Sequence, residues 1–403
     1  MLNGYSSRPI GSIAKVKGGK RLPPNFGVQD EESIHPYLRV TDFGRDGVDR
    51  SNLKFISNEA FEHVKRYIIT SDDVYVSIAG TIGRVGIVPD DLSGANLTEN
   101  AAKITEINDQ VDKRYLLYFL RSAMGQGELL NKAGGTSQPK LALFRIEEIE
   151  FPCPAITTQR AIADILSTYD DLIENNRRRM ALLEDSARQL YREWFVRLRF
   201  PGHEHTPIVD GVPLGWVRKT LSEVSNINQR NVANGFDGEI EYIDIASVTR
   251  NSVDSTTTYE FRDAPGRARR IVSHGDIIWS CVRPNRRSHA VIWQPAENLI
   301  ASTGFVVLSP KTLPTSFLYQ AVTTDAFVGY LENHAKGAAY PAVVSGDFER
   351  AMILVPSSAL VTAFDDFAGA LLWQTHNLQL QNQKLRQARD LLLPRLMNGE
   401  LTI

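Results

Sequence analysis

Cysteine and histidine are scarce in this chain, and neither is arranged as a metal site. The 403 residues include 2 cysteines and 8 histidines. Cys153 and Cys281 stand far apart without neighbouring ligand residues, which favours buried thiols over a disulfide or a metal centre. His203 and His205 are close in sequence but have no cysteine or carboxylate set beside them. The sequence therefore predicts a chain that holds no metal.

Long apolar runs and an excess of one charge are also missing. No segment has the length of a membrane span, and the N-terminal residues lack the apolar core of a signal peptide. We therefore expect a cytoplasmic protein with no membrane contact. The net charge of −2 gives no overall sign of nucleic-acid binding, although a local basic patch would still allow it. The length predicts two or three domains.

Signatures of catalysis are absent from the sequence as well. It contains no G-x-x-x-x-G-K-[ST] loop for ATP and no Asn-Pro-Pro-aromatic motif of the kind that amino-methyltransferases use. The segment GTIGRVG at 80–86 has the wrong spacing for a dinucleotide loop, and no Glu-x-Lys follows Pro89-Asp90-Asp91 as a nuclease core requires. We expect a chain that performs no reaction itself.

What the chain does contain is an internal repeat, in which residues 134–154 align without a gap on residues 336–356. The pairs with an offset of 202 include Gly135 with Gly337, Pro139 with Pro341, Pro154 with Pro356, and Leu183 with Leu385. Upstream the offset drifts by three, so that Tyr37 matches Tyr242. The repeat predicts two modules of one design, each followed by a helix.

Both predicted helices are long and carry a narrow apolar seam. Apolar residues recur at steps of three and four from 158 to about 199, and at steps of seven from about 358 to 398. About 40 residues would give a rod of roughly 60 Å. The predicted seam positions are Ile162, Ile165, Tyr169, Leu172, Leu183 and Leu190 in the first helix, and Phe364, Leu371, Leu378, Leu385 and Leu392 in the second.

These patterns predict an α+β protein with two tandem mixed α/β modules, separated by two long helices that form an antiparallel coiled coil. The expected division places the first module at 1–155 and the first helix at 156–200. The second module follows at 201–356, with an entry linker at 201–216, and the second helix with a C-terminal tail at 357–403. One further helix is expected inside each module, around 112–130 and around 316–333.

With this organisation the chain resembles the specificity subunits of type I restriction–modification systems. The features that carry the resemblance are the tandem modules and the two spacer helices. The first helix ends in LYREWF and the second in LLLPRLMNGEL, and PLGWVRKTLSEV at 213–224 also fits the family. The resemblance spans essentially the whole chain. It implies that each module is a target-recognition domain for one half of a bipartite, asymmetric DNA site, and that the helices set the gap between the halves.

The resemblance also implies the partners. These are double-stranded DNA, two modification subunits that methylate adenine with S-adenosylmethionine, and restriction subunits that use ATP and magnesium. No cofactor is expected on this chain. Two other classes stay open from the residues alone: a coiled-coil adaptor that never contacts DNA, and a self-contained DNA-modifying enzyme with an unrecognised active site.

Within that architecture, three loops in each module carry side chains suited to phosphates and base edges. The candidates in the first module are Lys17, Lys20, Arg21, Thr81, Arg84, Thr136, Ser137, Gln138 and Lys140. Those in the second are Gln229, Arg230, Asn231, Arg267, Arg269, Arg283, Asn285, Arg286, Arg287, Lys336 and Tyr340. The segment VRPNRRSH at 282–289 is the strongest candidate, because four cationic or amide side chains in five positions are costly to cluster without an anionic partner. Incidental charge on solvated turns is the alternative for each loop.

Overall fold

The computed structural model describes residues 5–44, 46–50, 52–135, 139–233 and 235–401. The chain divides into two compact units. Unit 1 contains residues 1–175 and 381–403, and unit 2 contains residues 176–380. The division falls inside both long helices, so each unit combines one module with a segment of each helix. No helix among the described residues is long and apolar enough to cross a membrane.

Unit 1 contains two four-stranded sheets and one two-stranded sheet. Its described strands are Ser7–Pro9 (β1), Lys15–Gly18 (β2), Pro36–Leu38 (β3), Lys54–Phe55 (β4), Ile68–Ile69 (β5), Val74–Ser77 (β6), Val85–Ile87 (β7), Ala95–Leu97 (β8), Ala101–Thr105 (β9) and Glu150–Pro152 (β10). The strand orders are β2-β9-β6-β7, β4-β3-β8-β5 and β1-β10. Only β3 and β8 run parallel among these described pairs. Short 3₁₀ turns occur at Ile10–Ser12, Val40–Asp42 and Asp90–Leu92.

The helices inside the first module are Asn58–Val64 (α1), Lys113–Arg121 (α2), Ala123–Asn131 (α3) and Leu143–Glu147 (α4). The single helix expected around 112–130 is therefore wrong, because Ser122 separates α2 from α3. Ser122 has an extended backbone and its side chain accepts a hydrogen bond from Gly125 N, which caps the new helix. Residues 115–120 of α2 are all buried, so this helix is surrounded by the core of unit 1.

The first long helix, α5, spans Ile156–Tyr191 and passes directly into a π-helical turn at Arg192–Val196. The continuous pattern of apolar residues explains its length, since helical stability in proteins comes mainly from packing an apolar face. At 36 residues the helix is about 54 Å long.

Unit 2 repeats the strand plan of unit 1. Its described strands are Ile208–Val209 (β11), Val212–Pro213 (β12), Val217–Thr220 (β13), Ser225–Ile227 (β14), Glu239–Ile243 (β15), Val248–Thr249 (β16), Ser252–Val253 (β17), Thr257–Glu260 (β18), Ala268–Ile271 (β19), Ile277–Ser280 (β20), His289–Val291 (β21), Leu299–Ser302 (β22), Phe305–Pro310 (β23) and Met352–Val355 (β24). The orders β14-β23-β20-β21, β18-β15-β22-β19 and β13-β24 match the three sheets of unit 1. As in unit 1, the two inner strands of the second four-stranded sheet, β15 and β22, run parallel. The hairpins β11-β12 and β16-β17 complete the unit.

The helices of the second module are Leu221–Val224 (α6), Thr315–Val322 (α7), Asp325–His334 (α8) and Ser345–Arg350 (α9). The helix expected around 316–333 is again two helices, because Thr324 caps α8 by accepting a hydrogen bond from Phe327 N. Short 3₁₀ turns occur at His203–His205, Ile245–Ser247, Phe261–Asp263 and Pro284–Arg286. The second long helix, α10, spans Ser358–Met397.

The two long helices pack antiparallel within unit 1. The side chain of Asn382 donates a hydrogen bond of 3.2 Å to Ile173 O, and Arg389 is paired with Asp170. Further along α10, Leu396 shares a core cluster with Ile162. Residues therefore rise along α10 as their partners fall along α5, as the sequence predicts.

The same arrangement occurs within unit 2, where the start of α10 lies against the end of α5. The ring of Phe364 is fully buried and its centroid lies 5.7 Å from Tyr191 and 5.2 Å from Phe195. The α+β fold with two strand-containing domains and antiparallel long helices is therefore confirmed.

The apolar seam needs one correction on α5. Leu172, placed in the seam by its spacing, is 45% exposed, whereas its neighbour Ile173 is fully buried. Two adjacent apolar residues fit a period near 3.5 equally well, so the spacing could not choose between them. Among the other predicted positions Ile162 is buried, and Ile165, Tyr169, Leu183 and Leu190 are half-buried.

On α10 the seam has a second row of positions that apolar spacing does not reveal. In the first row Phe364 and Leu378 are buried, while Leu371, Leu385 and Leu392 are half-buried. The second row also recurs every seven residues and is buried throughout, at Val361, Ala368, Thr375, Asn382, Arg389 and Leu396. Its middle positions are polar, which is why a search for apolar heptads passes over them.

Candidate nucleic-acid interface

The turn between β20 and β21 holds an unusual backbone in unit 2. Arg283 and Arg287 both adopt left-handed conformations, with φ of 51° and 53°. They flank the 3₁₀ turn at Pro284–Arg286, in which Pro284 is buried and Asn285 and Arg286 are exposed. Non-glycine residues rarely adopt positive φ, and such strain clusters at functional sites. The turn therefore presents Asn285 and Arg286 at its tip.

A second loop, residues 336–342, lies directly against this turn. Arg283 N donates to Pro341 O at 2.7 Å, and its guanidinium donates to Ala339 O at 3.1 Å. The same guanidinium lies 4.5 Å from the centre of the Tyr340 ring, which is itself 69% exposed. We call residues 281–288 and 336–342 together the two-loop surface of unit 2. It combines an exposed aromatic ring with Asn285, Arg286 and the exposed Lys336.

Arg287 has a different environment from its neighbours. Its side chain donates to Asp325 Oδ1 at 2.5 Å and is only 25% exposed. Asp325 also lies 3.7 Å from the guanidinium of Arg192, at the end of α5. The hydrogen bond from Arg287 lowers the pKa of Asp325, so this carboxylate is charged at neutral pH. Arg287 therefore anchors the turn to the start of α8, and no pattern in the sequence indicates that Asp325 is its partner.

The third loop of unit 2 runs along the edge strand β19. Arg270 donates to Asn231 Oδ1 at 2.9 Å, Arg230 is hydrogen-bonded to Ser273, and Gln229 is exposed. The guanidinium of Arg269 lies 4.8 Å from the Phe261 ring centre. At the other end of the strand, the backbone of Arg267 accepts a hydrogen bond from Thr303 N. Gly304, which follows Thr303, accepts a hydrogen bond from Cys281 N. These two bonds join the turn at Arg267 to the two-loop surface.

Unit 1 brings the equivalent two loops together. Residues 78–84 connect β6 to β7, and Leu141 N donates to Ile78 O at 2.9 Å. Ala79 and Lys140 form an antiparallel bridge, and Gly134 pairs with the same lysine. Residues 78–84 and 134–140 are the two-loop surface of unit 1, on which Thr81, Arg84 and Lys140 are exposed. Thr136, Ser137 and Gln138 lie outside the described residues.

The third loop of unit 1 is packed against the segment 97–100. A Cβ atom at Gly19 would lie 2.1 Å from Thr98 O, so only glycine fits here. Arg21 lies 3.4 Å from Glu99, and Lys20 lies 5.8 Å from the centre of the Tyr67 ring. Lys17 and Lys15 both bond Glu106, and these bonds lower the pKa of Glu106 to about 2. Surface pairs of this kind are weak, so Lys17 stays available to another anion.

One glycine in each of the equivalent loops has the same backbone conformation. Gly135 and Gly337, which the repeat aligns, have the same φ of 104°. This region of φ is one that only glycine adopts readily. The two units therefore share the backbone conformation at this glycine, although the residues that follow it differ in type. No group of three or more candidate metal ligands occurs in the part of the chain that the structure describes.

Comparison with known proteins gives one family. A model of the family described as type I restriction modification DNA specificity domain matches residues 3–185. The MjaIX specificity subunit of a type I restriction enzyme from Methanocaldococcus jannaschii is 23% identical over 360 residues, covering 86% of this chain and 82% of that protein. The HindI specificity subunit from Haemophilus influenzae is 21% identical over 421 residues, covering 87% and 90%.

One solved structure supports the fold. The crystal structure of the S subunit of a type I restriction–modification system from M. genitalium superimposes with a TM-score of 0.55 at 16% identity. The alignment covers 98% of this chain and 97% of that one.

Proposed function

The chain belongs to the family of type I restriction–modification specificity subunits, which is non-catalytic, and from that premise we propose how it selects DNA. Each unit reads one half of a bipartite DNA site through its two-loop surface. The observation that carries this proposal is that the same pair of loops comes together in both units and presents exposed polar and basic side chains. Arg, Asn, Lys and Thr are residue types that contact phosphates and base edges.

The two halves of the site are expected to differ. The two-loop surface of unit 2 offers Asn285, Arg286 and an exposed Tyr340, whereas that of unit 1 offers Thr81, Arg84 and Lys140. Arginine and asparagine favour guanine and adenine respectively in the major groove, and threonine contacts several bases. Unlike surfaces on a repeated frame favour an asymmetric site rather than a palindrome.

The long helices are proposed to set the gap between the half-sites. Half-sites contacted from one side of B-DNA lie about 34 Å apart for one helical turn, within the reach of a helix of about 54 Å. The proposed domains follow the boundaries expected from the sequence. Recognition domains occupy 1–155 and 201–356, the linker 201–216 enters the second, and the spacers occupy 156–200 and 357–403. Length changes in the spacers should alter the gap and leave both half-sites unchanged.

The remaining chemistry is assigned to partner subunits. We propose that two modification subunits dock on this chain in the cytoplasm, bind S-adenosylmethionine and methylate one adenine in each half-site. Restriction subunits then join and supply the reactions that need ATP and magnesium. Basic and amide side chains on this chain would bind and orient the DNA, and no reacting group is assigned to it.

The test is a methylation map. The chain is expressed with its cognate modification subunit in a host that lacks adenine methylation, and modified adenines are located by genome sequencing. The expected result is one bipartite motif with two unlike halves and a constant gap. Cells that express the modification subunit alone provide the control. No modified adenine from a complex shown to be assembled would refute the proposal and favour an adaptor that does not read DNA.

A further inference from the structure

Each unit carries a β-hairpin whose tip reaches the long helices. In unit 1 Phe43 and Val48 form a bridge, and in unit 2 the equivalent residues pair as β16 and β17. With the offset of 205 that aligns Tyr37 with Tyr242, Asp46 falls on Asn251. We call Asp46 and Asn251 the tip residues. Neither is among the residues that the loop chemistry predicted.

The tip residue of unit 1 is buried against α10. The side chain of Asp46 is 3% exposed and accepts hydrogen bonds from Arg386 at 2.9 Å and from Arg389 at 3.1 Å. Arg389 is itself 7% exposed, although arginine is almost never buried without partners. A buried charge pair of this kind is strongly directional, since each partner depends on the other for its hydrogen bonds.

Arg389 extends this contact to α5 and to the module core. It bonds Asp170 on α5, whose other oxygen accepts from the Tyr118 hydroxyl at 2.8 Å and from Arg121 at 3.1 Å. Tyr118 and Arg121 both lie on α2, inside the first module. One connected network therefore joins the hairpin, the module helix α2 and both long helices within unit 1.

Unit 2 makes the equivalent contact with a neutral tip residue, Asn251. Gln379 on α10 donates to Asn251 O at 3.1 Å, and Glu184 on α5 lines a small cavity together with Asn251. The hydroxyl of Tyr319 donates to Asn251 Oδ1 at 2.6 Å. Tyr319 lies on α7 as Tyr118 lies on α2. Asn251 holds a φ of 64°, a conformation that asparagine tolerates better than most residues.

The network matters because a gap of fixed length requires each module to be held tightly on its helices. Adding one base pair to the gap turns a half-site by roughly 35° and moves it by about 3.4 Å. Apolar packing between a module and a helix pair is non-directional and tolerates small rotations. Hydrogen bonds weaken steeply once their angle falls below about 120°, so they resist a rotation of that size.

We propose that Asp46, Arg389 and Asn251 are positioning residues that fix the number of base pairs between the two half-sites. The hairpin tips hold each module at one angle on its own segments of α5 and α10. The length of the helices determines the approximate gap, and the tip contacts determine the exact number of base pairs in it. This inference rests on the proposed function, because it requires that the two units read two half-sites.

The experiment repeats the methylation map with single variants of the assembled complex. Asp46→Asn keeps the shape of the side chain and removes its charge, and Arg389→Gln removes the guanidinium. Asn251→Gly removes the amide and still allows a positive φ. Arg395→Gln is the matched control, since Arg395 is 56% exposed on the same helix and lies 3.9 Å from Glu400.

We expect each positioning variant to retain both half-sites while sites with a gap one base pair longer or shorter appear. Their share should reach about a tenth of all modified sites, which corresponds to tenfold discrimination between gaps. The control should retain a single gap. A merely structural role would lower the yield of assembled complex and leave the gap distribution unchanged.

The possible outcomes distinguish failure of the positioning role from failure of the proposed function. A wild-type map without a bipartite motif contradicts the proposed function. A bipartite wild-type map with one gap in all variants overturns the positioning role alone. Loss of all modification from an assembled Asp46→Asn or Asn251→Gly complex also overturns it, because the tips would then be needed for reading itself. If Arg389→Gln does not assemble, the two tip variants decide the result.

Discussion

Replacing Phe364 by alanine should unfold unit 2 at a much lower denaturant concentration. Phe364 is fully buried at the place in unit 2 where the start of α10 meets the end of α5. Its ring centroid lies within 6.3 Å of four other rings, those of Tyr191, Trp194, Phe195 and Phe317. Truncation therefore removes the centre of an aromatic cluster and leaves a cavity that the surrounding rings fill only in part.

The magnitude follows from the burial of the ring. Truncating a buried phenylalanine to alanine lowers the free energy of unfolding by about 3–5 kcal/mol. Phe367 provides a matched control three residues along the same helix, because its side chain is 48% exposed. Half the burial of a phenylalanine is worth roughly 1 kcal/mol, and the better helix propensity of alanine returns about half of that. Phe367→Ala should therefore cost less than about 1 kcal/mol.

Tryptophan fluorescence is a clean assay for this effect. All five tryptophans of the chain lie between residues 176 and 380, so their emission reports on unit 2. In urea, a slope of about 2 kcal/mol per molar converts the expected loss for Phe364→Ala into a fall of the midpoint of about 2 M. A shift no larger than that of Phe367→Ala would refute the reasoning that this cluster holds the two helices together in unit 2.

Two further results are expected in unit 2. Burial, with the positive charges of Arg250, Arg287 and Arg188, lowers the pKa of His289 to about 3. Since the unfolded imidazole titrates near 6.5, unfolding takes up a proton below that pH, so stability is lost as the pH falls from 6.5 towards 3. Protonation of the unfolded imidazole lowers the free energy of unfolding at pH 5 by about 2 kcal/mol relative to pH 7. The urea midpoint of His289→Gln should therefore fall less between pH 7 and pH 5 than that of the wild type. An equal fall in both proteins contradicts the assignment to His289. Arg286→Ala should weaken binding of the assembled complex to its own site by roughly 10–100-fold, measured by fluorescence anisotropy at fixed salt, whereas the exposed Arg218→Ala should not.

The repeat and the periodicity predicted the larger features of the fold. A fixed offset between two segments shows that the chain contains one design twice, and heptads show where long helices must pack. Neither signal resolves a helix that stops for a single residue. Ser122 and Thr324 interrupt apolar patterns that continue on both sides, so the break is determined by a cap and not by a change of period.

The candidate loops were predicted partly because their composition is unusual. Four cationic or amide side chains near 285 are costly without an anion, and the structure indeed presents Asn285 and Arg286 to solvent. Composition could not separate Arg286 from Arg287, which differ only in the presence of Asp325 nearby. That partner lies 38 residues further along the chain, and pairing over such a distance depends on the tertiary fold.

The tip residues were beyond sequence reasoning for a related reason. Aspartate and asparagine are the ordinary residues of tight turns, so Asp46 and Asn251 carry no signal of their own. Arg389 was hidden by its place on a helix rich in charged residues. Only burial distinguishes it, and burial of an arginine at a seam position contradicts the usual preference of that residue for solvent.

The matched glycines of the loops have a consequence for how such a protein acquires new preferences. Gly135 and Gly337 share a backbone angle, and a proline follows each four residues later. Between these fixed points the first copy has Thr-Ser-Gln and the second has Ala-Ala-Tyr. Gly135 and Gly337 fix the backbone at the start of each loop, and the residue types that follow differ between the copies. In the second copy Ala338 and Tyr340 are exposed, so substitutions there change the chemistry of the surface at little cost in folding stability. Because each copy has its own loop, the two surfaces can change independently.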